Sequence, residues 1–152
     1  MADPHVKNAQ NVFVATIGST DVTAGDMMYF DGTDWELADA SAHTTFCEAM
    51  AVNTYDSGDV GVLCTGGILV DSDAPYTQGT AMYLSETAGA ITATIPTTNA
   101  AIKQVVGFTL STSEVRVGIR IPSYQNQFFP VSAYDTSGEP GLGVVTDGWP
   151  GP

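Results

Sequence analysis

Few residues of this 152-residue chain have the chemistry of an acid, a base or a nucleophile. Of two histidines, His5 lies in a polar N-terminal stretch. That leaves His43, in a polar connection, as the single imidazole placed to act as a base, and no Gly-x-Ser-x-Gly elbow accompanies it. His43 reads as an exposed loop residue. Carboxylates are abundant, and Asp26, Asp31, Asp34, Glu36 and Asp39 form the densest run. Two of them would act as an acid and base pair only at a separation of ~5 to 9.5 Å, which a sequence does not fix. Neither that run nor Asp71 with Asp73 carries the spaced Asp/Asn ligands, glycine and distal glutamate of a calcium loop. Solvated acidic turns are the expectation.

Cys47 and Cys64 lack the CxxC spacing of a zinc site and are too few for a disulfide scaffold. If residues 55 to 58 turn the chain back, the two cysteines fall opposite one another. A bond would then require Cβ atoms within about 4.5 Å, and reduced thiols are expected in an intracellularly made protein. Gly61, Gly66 and Gly67 follow a strand-like run, but no Lys-Ser/Thr or helix start comes next, so they read as turns rather than a phosphate loop. These readings converge on a protein that is not an enzyme, with no catalytic residues, no metal and no cofactor.

The elements that would position any site are β-strands. Val115-Arg116-Val117-Gly118-Ile119-Arg120-Ile121 alternates, with Val115, Val117, Ile119 and Ile121 on one face and both arginines on the other. Val60 to Cys64 and Ala90 to Ile95 alternate likewise, and Val12 to Ile17 is a β-branched run. Asp31-Gly32, Ser57-Gly58, Gly66-Gly67 and Ala88-Gly89 punctuate them at hairpin-like spacing. The helix candidates are short, at Ala38 to Ala42 and Asn99 to Gln104.

An internal repeat organises these runs. Thr23, Gly25, Met28 and Tyr29 recur as Thr77, Gly79, Met82 and Tyr83 at a constant offset of 54; Trp35, Phe46, Met50 and Val52 meet Ile91, Ile102, Val106 and Phe108 at 56; Val60, Val62 and Cys64 meet Val115, Val117 and Ile119 at 55. The expected fold is all-β: a small antiparallel barrel or sandwich built from a duplicated four-strand unit, in which two units bury each other's apolar faces. The duplicated domain spans residues 12–121, with units at about 12–70 and 71–121. An N-terminal arm, 1–11, precedes it, and an extended C-terminal arm rich in Pro, Gly and aromatic residues, 122–152, follows.

Seventeen acidic residues face four basic ones, a formal net charge of −13. Such a surface disfavours nucleic acid and anionic membranes as partners, and copies of the chain repel each other. No apolar run approaches the ~20 residues of a spanning helix, and Met1 to His5 has no export-signal character. Lys103, Arg116 and Arg120 cluster in sequence and would carry any contact with an acidic partner. In the tail, Tyr124, Phe128, Phe129, Tyr134 and Trp149 stand among Pro, Gly and small polar residues, a composition typical of interface anchors. The expected partner interface is therefore these five aromatics with Arg116 and Arg120.

The run Gly25-Asp26-Met27-Met28-Tyr29-Phe30-Asp31-Gly32, then Trp35, Ala38-Asp39-Ala40, Met50-Ala51-Val52-Asn53 and Ser57-Gly58-Asp59-Val60-Gly61-Val62 resembles the decoration, or cement, proteins that coat the heads of tailed bacteriophages. Tyr76 to Ser85, Gly89-Ala90-Ile91-Thr92 and Val106-Gly107-Phe108-Thr109-Leu110 repeat the style. The likeness covers roughly residues 12 to 121. It implies a small β domain, a homotrimer, that binds the major capsid protein on the outside of the expanded shell and reinforces it, reaching the virion surface from the host cytoplasm. The long C-terminal tail departs from the smallest members. The competing expectation is a head- or tail-fibre β module or a carbohydrate-binding module, with Trp35, Tyr29 and Tyr83 as a stacking platform.

Overall fold

A computed structural model describes residues 4–73 and 75–120. The described chain is nearly all β. Its strands are β1 (His5–Gln10), β2 (Phe13–Thr16), β3 (Met27–Phe30), β4 (Trp35–Leu37), β5 (Ala49–Ala51), β6 (Val60–Cys64), β7 (Gly66–Val70), β8 (Ala81–Leu84), β9 (Ile91–Thr92), β10 (Val105–Thr109) and β11 (Glu114–Gly118). All strand pairings are antiparallel, in a five-stranded sheet of order β2-β6-β5-β3-β4 and a six-stranded sheet of order β1-β7-β11-β10-β8-β9.

At Met27 and Met28 of β3 and along β5 the five-stranded sheet is buried on both faces, which is why these strands read as near-continuous apolar runs rather than clean alternations. Met27 and Met28, both fully buried, point into different cores, and β5 places Ala49 and Ala51 in one and Met50 in the other. The first core lies between the sheets, where Met27, Met50 and Cys64 meet Leu69, Met82, Leu84, Val106, Val115 and Val117 of the six-stranded sheet. The second lies inside the curl of the five-stranded sheet and holds Ala15, Ile17, Val22, Met28 and Leu63. Its two edges meet there. Ile17 bridges Trp35, and the Gly18 N–H donates to the Trp35 carbonyl at 2.8 Å, closing a small barrel. Each large apolar side chain buried in these cores stabilises the fold by roughly 1.5 to 3 kcal/mol.

The two sheets share an order of connection. In the five-stranded sheet β6-β5-β3-β4 follows β2, and in the six-stranded sheet β11-β10-β8-β9 follows β7. Met28-Tyr29 and Met82-Tyr83 sit in β3 and β8, which hold the same place in the two orders. Register agrees as well: Tyr29 opposite Glu36 and Phe30 opposite Trp35 correspond to Tyr83 opposite Thr92 and Leu84 opposite Ile91, at the offsets read from the sequence.

Several expectations are corrected. His5–Gln10 is not a free arm but β1, the edge strand on β7. Its pattern escaped notice because the register shifts between Lys7 and Gln10, with Asn8 and Asn11 both at φ 55, so the inward residues Val6 and Ala9 are three apart instead of two. Strand β7, assigned to the first unit, pairs with β11 in the six-stranded sheet. Neither expected helix forms, and among the described residues the only helical turn is the 3₁₀ turn His43–Thr45. Ala38 and Ala40 are fully buried two residues apart on an extended connection, where the Ala38 and Ala40 N–H groups donate to the Met27 and Ser85 carbonyls. In the second stretch Ala100 has φ 74, outside the helical region. The alternating runs at Ala90 and Val115 form shorter strands, β9 and β11.

Candidate interaction faces

Asp26, Asp31 and Asp39 of the dense acidic stretch hold turns, and Glu36 makes a longer-range contact. Asp31 Oδ1 accepts from the Thr33 and Asp34 N–H groups at 2.8 and 2.9 Å, and these bonds hold its carboxyl below the usual range. Asp26 accepts from the Thr23 N–H at 2.8 Å, yet burial raises its pKa above the ordinary value, with the Thr23 bond acting in the opposite sense. Glu36 accepts from both the N–H and the hydroxyl of Ser19, and Asp39 accepts from the N–H and the hydroxyl of Ser41. Among the described residues no group of three or more His, Cys, Asp or Glu side chains is arranged to hold a metal ion. His43 is exposed on the 3₁₀ turn and His5 is exposed on β1.

Cys47 and Cys64 are both buried and unbonded. They are not cross-strand neighbours, because Cys64 lies opposite Met50 and the register is displaced by three residues from the expected one. Burial pushes the Cys47 thiol up to about 12, so it carries no thiolate nucleophile at neutral pH. Beside it sits Gln104, which the sequence reading did not single out. Its Oε1 accepts from the Cys47 N–H at 2.8 Å, and its Nε2 donates to the Cys47 carbonyl at 2.8 Å and the Arg120 carbonyl at 3.0 Å. The side chain, 4% exposed, ties the lead-in to β5 to the segment after β11.

Tyr29, Trp35 and Tyr83 form no common platform. Trp35 packs on the barrel core, with its ring centroid 5.2 Å from Phe13 and 5.6 Å from Phe30. Tyr29 packs on the core between the sheets, on the opposite face of the five-stranded sheet. Tyr83 is in the other sheet, opposite Val105.

Two surface faces depart from the polar exterior expected of a sheet that meets water. The first is the outer face of the six-stranded sheet. A ladder of directly opposed residues crosses it: Lys7, Ile68, Arg116, Phe108 and Ala81. The register shift between Val105 and Gly107 turns Val106 into the core and leaves Val105 and Phe108 outside, 45% and 54% exposed. Glycine is required at the shift, since a Cβ on Gly107 would collide with the Arg116 carbonyl. Gly67, Gly107 and Gly118 help form a shallow concavity of about 570 Å³, flanked by Ile68, Val105, Phe108, Arg116, Arg120 and Gln10. Lys7 pairs with Glu114 at 2.8 Å. The Arg116 and Arg120 guanidinium groups have no ion-pair partner among the described residues.

The second face lies outside the barrel, on β2 and β6. Val14 is opposite Val62 and Thr16 opposite Val60, so the four share one side of the sheet. Val14 and Val60 are 71% and 69% exposed, and Val12, just before β2, is 56% exposed. At the Val60 end the chain turns through Asp56 to Asp59, where the Asp59 carboxylate accepts from the Asp56 N–H and Asp21 accepts from the Ser57 N–H. Asp21, Asp56 and Asp59 are all exposed. This face therefore combines branched apolar side chains with an acidic rim.

Of the expected interface residues, the structure places Arg116 on the first face and Arg120 at its margin. Lys103 is exposed but does not line the concavity. Tyr124, Phe128, Phe129, Tyr134 and Trp149 lie outside the described residues. Phe108 went unassigned because the register shift between Val105 and Gly107 breaks the period of β10, and Val12 and Val14 because they sit in a run of consecutive apolar residues, whose parity does not reveal which side meets water. No protein-family model matches the chain, and no curated protein shows a significant match to it.

Proposed function

We propose that this protein is a non-catalytic structural module of a virion, built on a duplicated β unit, that binds the outside of a phage capsid through the major capsid protein and stabilises the shell. The observation that carries this reading is the pair of exposed faces with apolar side chains, one on each sheet. Exposed Phe and Val beside arginines that have no ion-pair partner among the described residues are the groups that macromolecular interfaces bury at their centres. The carboxylates that would otherwise suggest catalysis are used to hold turns. The repeated strand order supports the duplication, and it fits a compact module that acts by contacts rather than by chemistry.

The test is cosedimentation of the full chain with expanded capsids that lack it, prepared from the phage that encodes it. Saturable capture at a fixed ratio to the major capsid protein is expected. Failure to sediment with those capsids, at low salt and at physiological salt, would sink the reading.

A further inference from the structure

We propose that the two faces are the two halves of one contact: the β2–β6 valine face of one copy seats on the outer face of the six-stranded sheet of the next, so that copies assemble head to tail. The inference deepens the virion reading by naming the self-assembly partner and surface, and it rests on that reading only for its biological setting.

Charge complementarity selects this pairing. Each copy carries a net charge of −13, so copies repel wherever acidic surface meets acidic surface. A contact between copies has to bring basic groups of one against acidic groups of the other. Arg116 and Arg120, two of the four basic residues of the chain, lie on or beside the six-stranded sheet's outer face, where Lys7 is already paired with Glu114. The valine face carries the opposite rim, Asp21, Asp56 and Asp59. Like faces would not pair as well: two valine faces would oppose their acidic rims, and two sheet faces would oppose their arginines.

Shape and polarity agree with charge. One face is concave, lined in part by Gly67, Gly107 and Gly118, and Phe108 and Val105 stand at its side. The other is a band of short branched side chains on an outward-curved barrel wall, Val12, Val14, Val60 and Val62. Because the two surfaces differ, the contact is heterologous, and a heterologous contact closes into a ring when its rotation permits. Accumulated negative charge favours a small closed ring over a growing filament.

The experiment uses the full chain and two double variants at exposed positions, one on each face: Phe108→Ser with Arg116→Glu, and Val14→Ser with Val60→Ser. Circular dichroism and melting curves verify that both keep the native fold. Masses are then measured by light scattering at concentrations up to about 100 µM, above the micromolar end of the affinities that standard interfaces reach. The unmodified chain is expected as a discrete oligomer, and each variant alone as a monomer of 15.8 kDa. Mixed in equal amounts, the two variants are expected to form a one-to-one dimer and nothing larger, since each retains the half that the other lacks.

A monomeric unmodified chain overturns the proposal. So does a variant that still self-associates, which would mean that like faces pair, and so does a mixture that stays monomeric. These outcomes are separate from capsid capture. An oligomer that assembles as described but never sediments with capsids leaves the head-to-tail contact standing and removes the virion reading.

Discussion

Replacing Gln104 with leucine is the sharpest test of how the fold is held. The substitution roughly keeps the volume but deletes two buried hydrogen bonds and a part-buried one, and it leaves the Cys47 N–H, the Cys47 carbonyl and the Arg120 carbonyl without the Gln104 amide. A buried group left unsatisfied costs about 1 to 3 kcal/mol. The Cys47 N–H weighs most, because a carbonyl tolerates under-satisfaction better than an N–H does. Added apolar burial offsets part of this, so the net loss is on the order of 3 to 4 kcal/mol. That is a large fraction of the roughly 5 to 15 kcal/mol total of a domain, and at about 4 °C per kcal/mol the melting temperature falls by roughly 12 to 16 °C. Urea unfolding of the full chain measures the loss directly, with an unchanged slope showing that the surface exposed on unfolding is the same. Gln104→Glu separates the parts, since it keeps the acceptor for Cys47 but removes both donated bonds. A Gln104→Leu variant within 1 kcal/mol of the unmodified chain would refute the clamp.

Three further outcomes follow from local geometry. Gly61→Ala puts a Cβ 2.7 Å from the Tyr55 ring, whose hydroxyl is fixed by the Val62 N–H at 2.8 Å; a loss of about 1 to 3 kcal/mol is expected in urea unfolding, partly recovered when Tyr55→Leu is added. Burial raises the Asp26 pKa, so the fold favours the protonated carboxyl: its relative stabilisation is complete below the ordinary carboxyl value and is lost as pH rises through the folded value. Asp26→Asn, which keeps the acceptor for Thr23, is accordingly expected to raise the melting temperature at pH 7 and to leave it unchanged near pH 3, whereas equal shifts at both would discredit the burial argument. Adding EDTA is expected to leave the melting temperature within about 2 °C, and a drop of several degrees would reveal a bound cation linked to folding.

What was legible in the sequence followed the physics of alternation. β11 was found because only one of its faces is buried, so Arg116 was assigned to the outer side correctly. Gly25 and Gly79, matched in the sequence repeat, both have positive φ, 93 and 76, at the turns before β3 and β8. β1 was missed because a bulge breaks its period, and the Ala38 to Ala42 stretch was misread because alanine's helix preference yields to an extended path through the core between the sheets. The candidate faces were half legible. Phe108 shares β10 with the buried Val106 and Thr109 across a bulge, and Val14 lies between Phe13 and Ala15, which pack inward. Where both sides of a strand carry apolar residues, only the three-dimensional pairing decides which of them meets solvent.

The central claim, that the protein reinforces a capsid by binding its exterior, is tested most directly by the temperature at which DNA-filled capsids rupture, followed by the fluorescence of a dye that enters only broken particles. With the full chain added to capsids that lack it, the rupture temperature is expected to rise by several degrees and to level off once binding saturates. A rupture temperature that does not change while the protein is bound at saturation would contradict the claim.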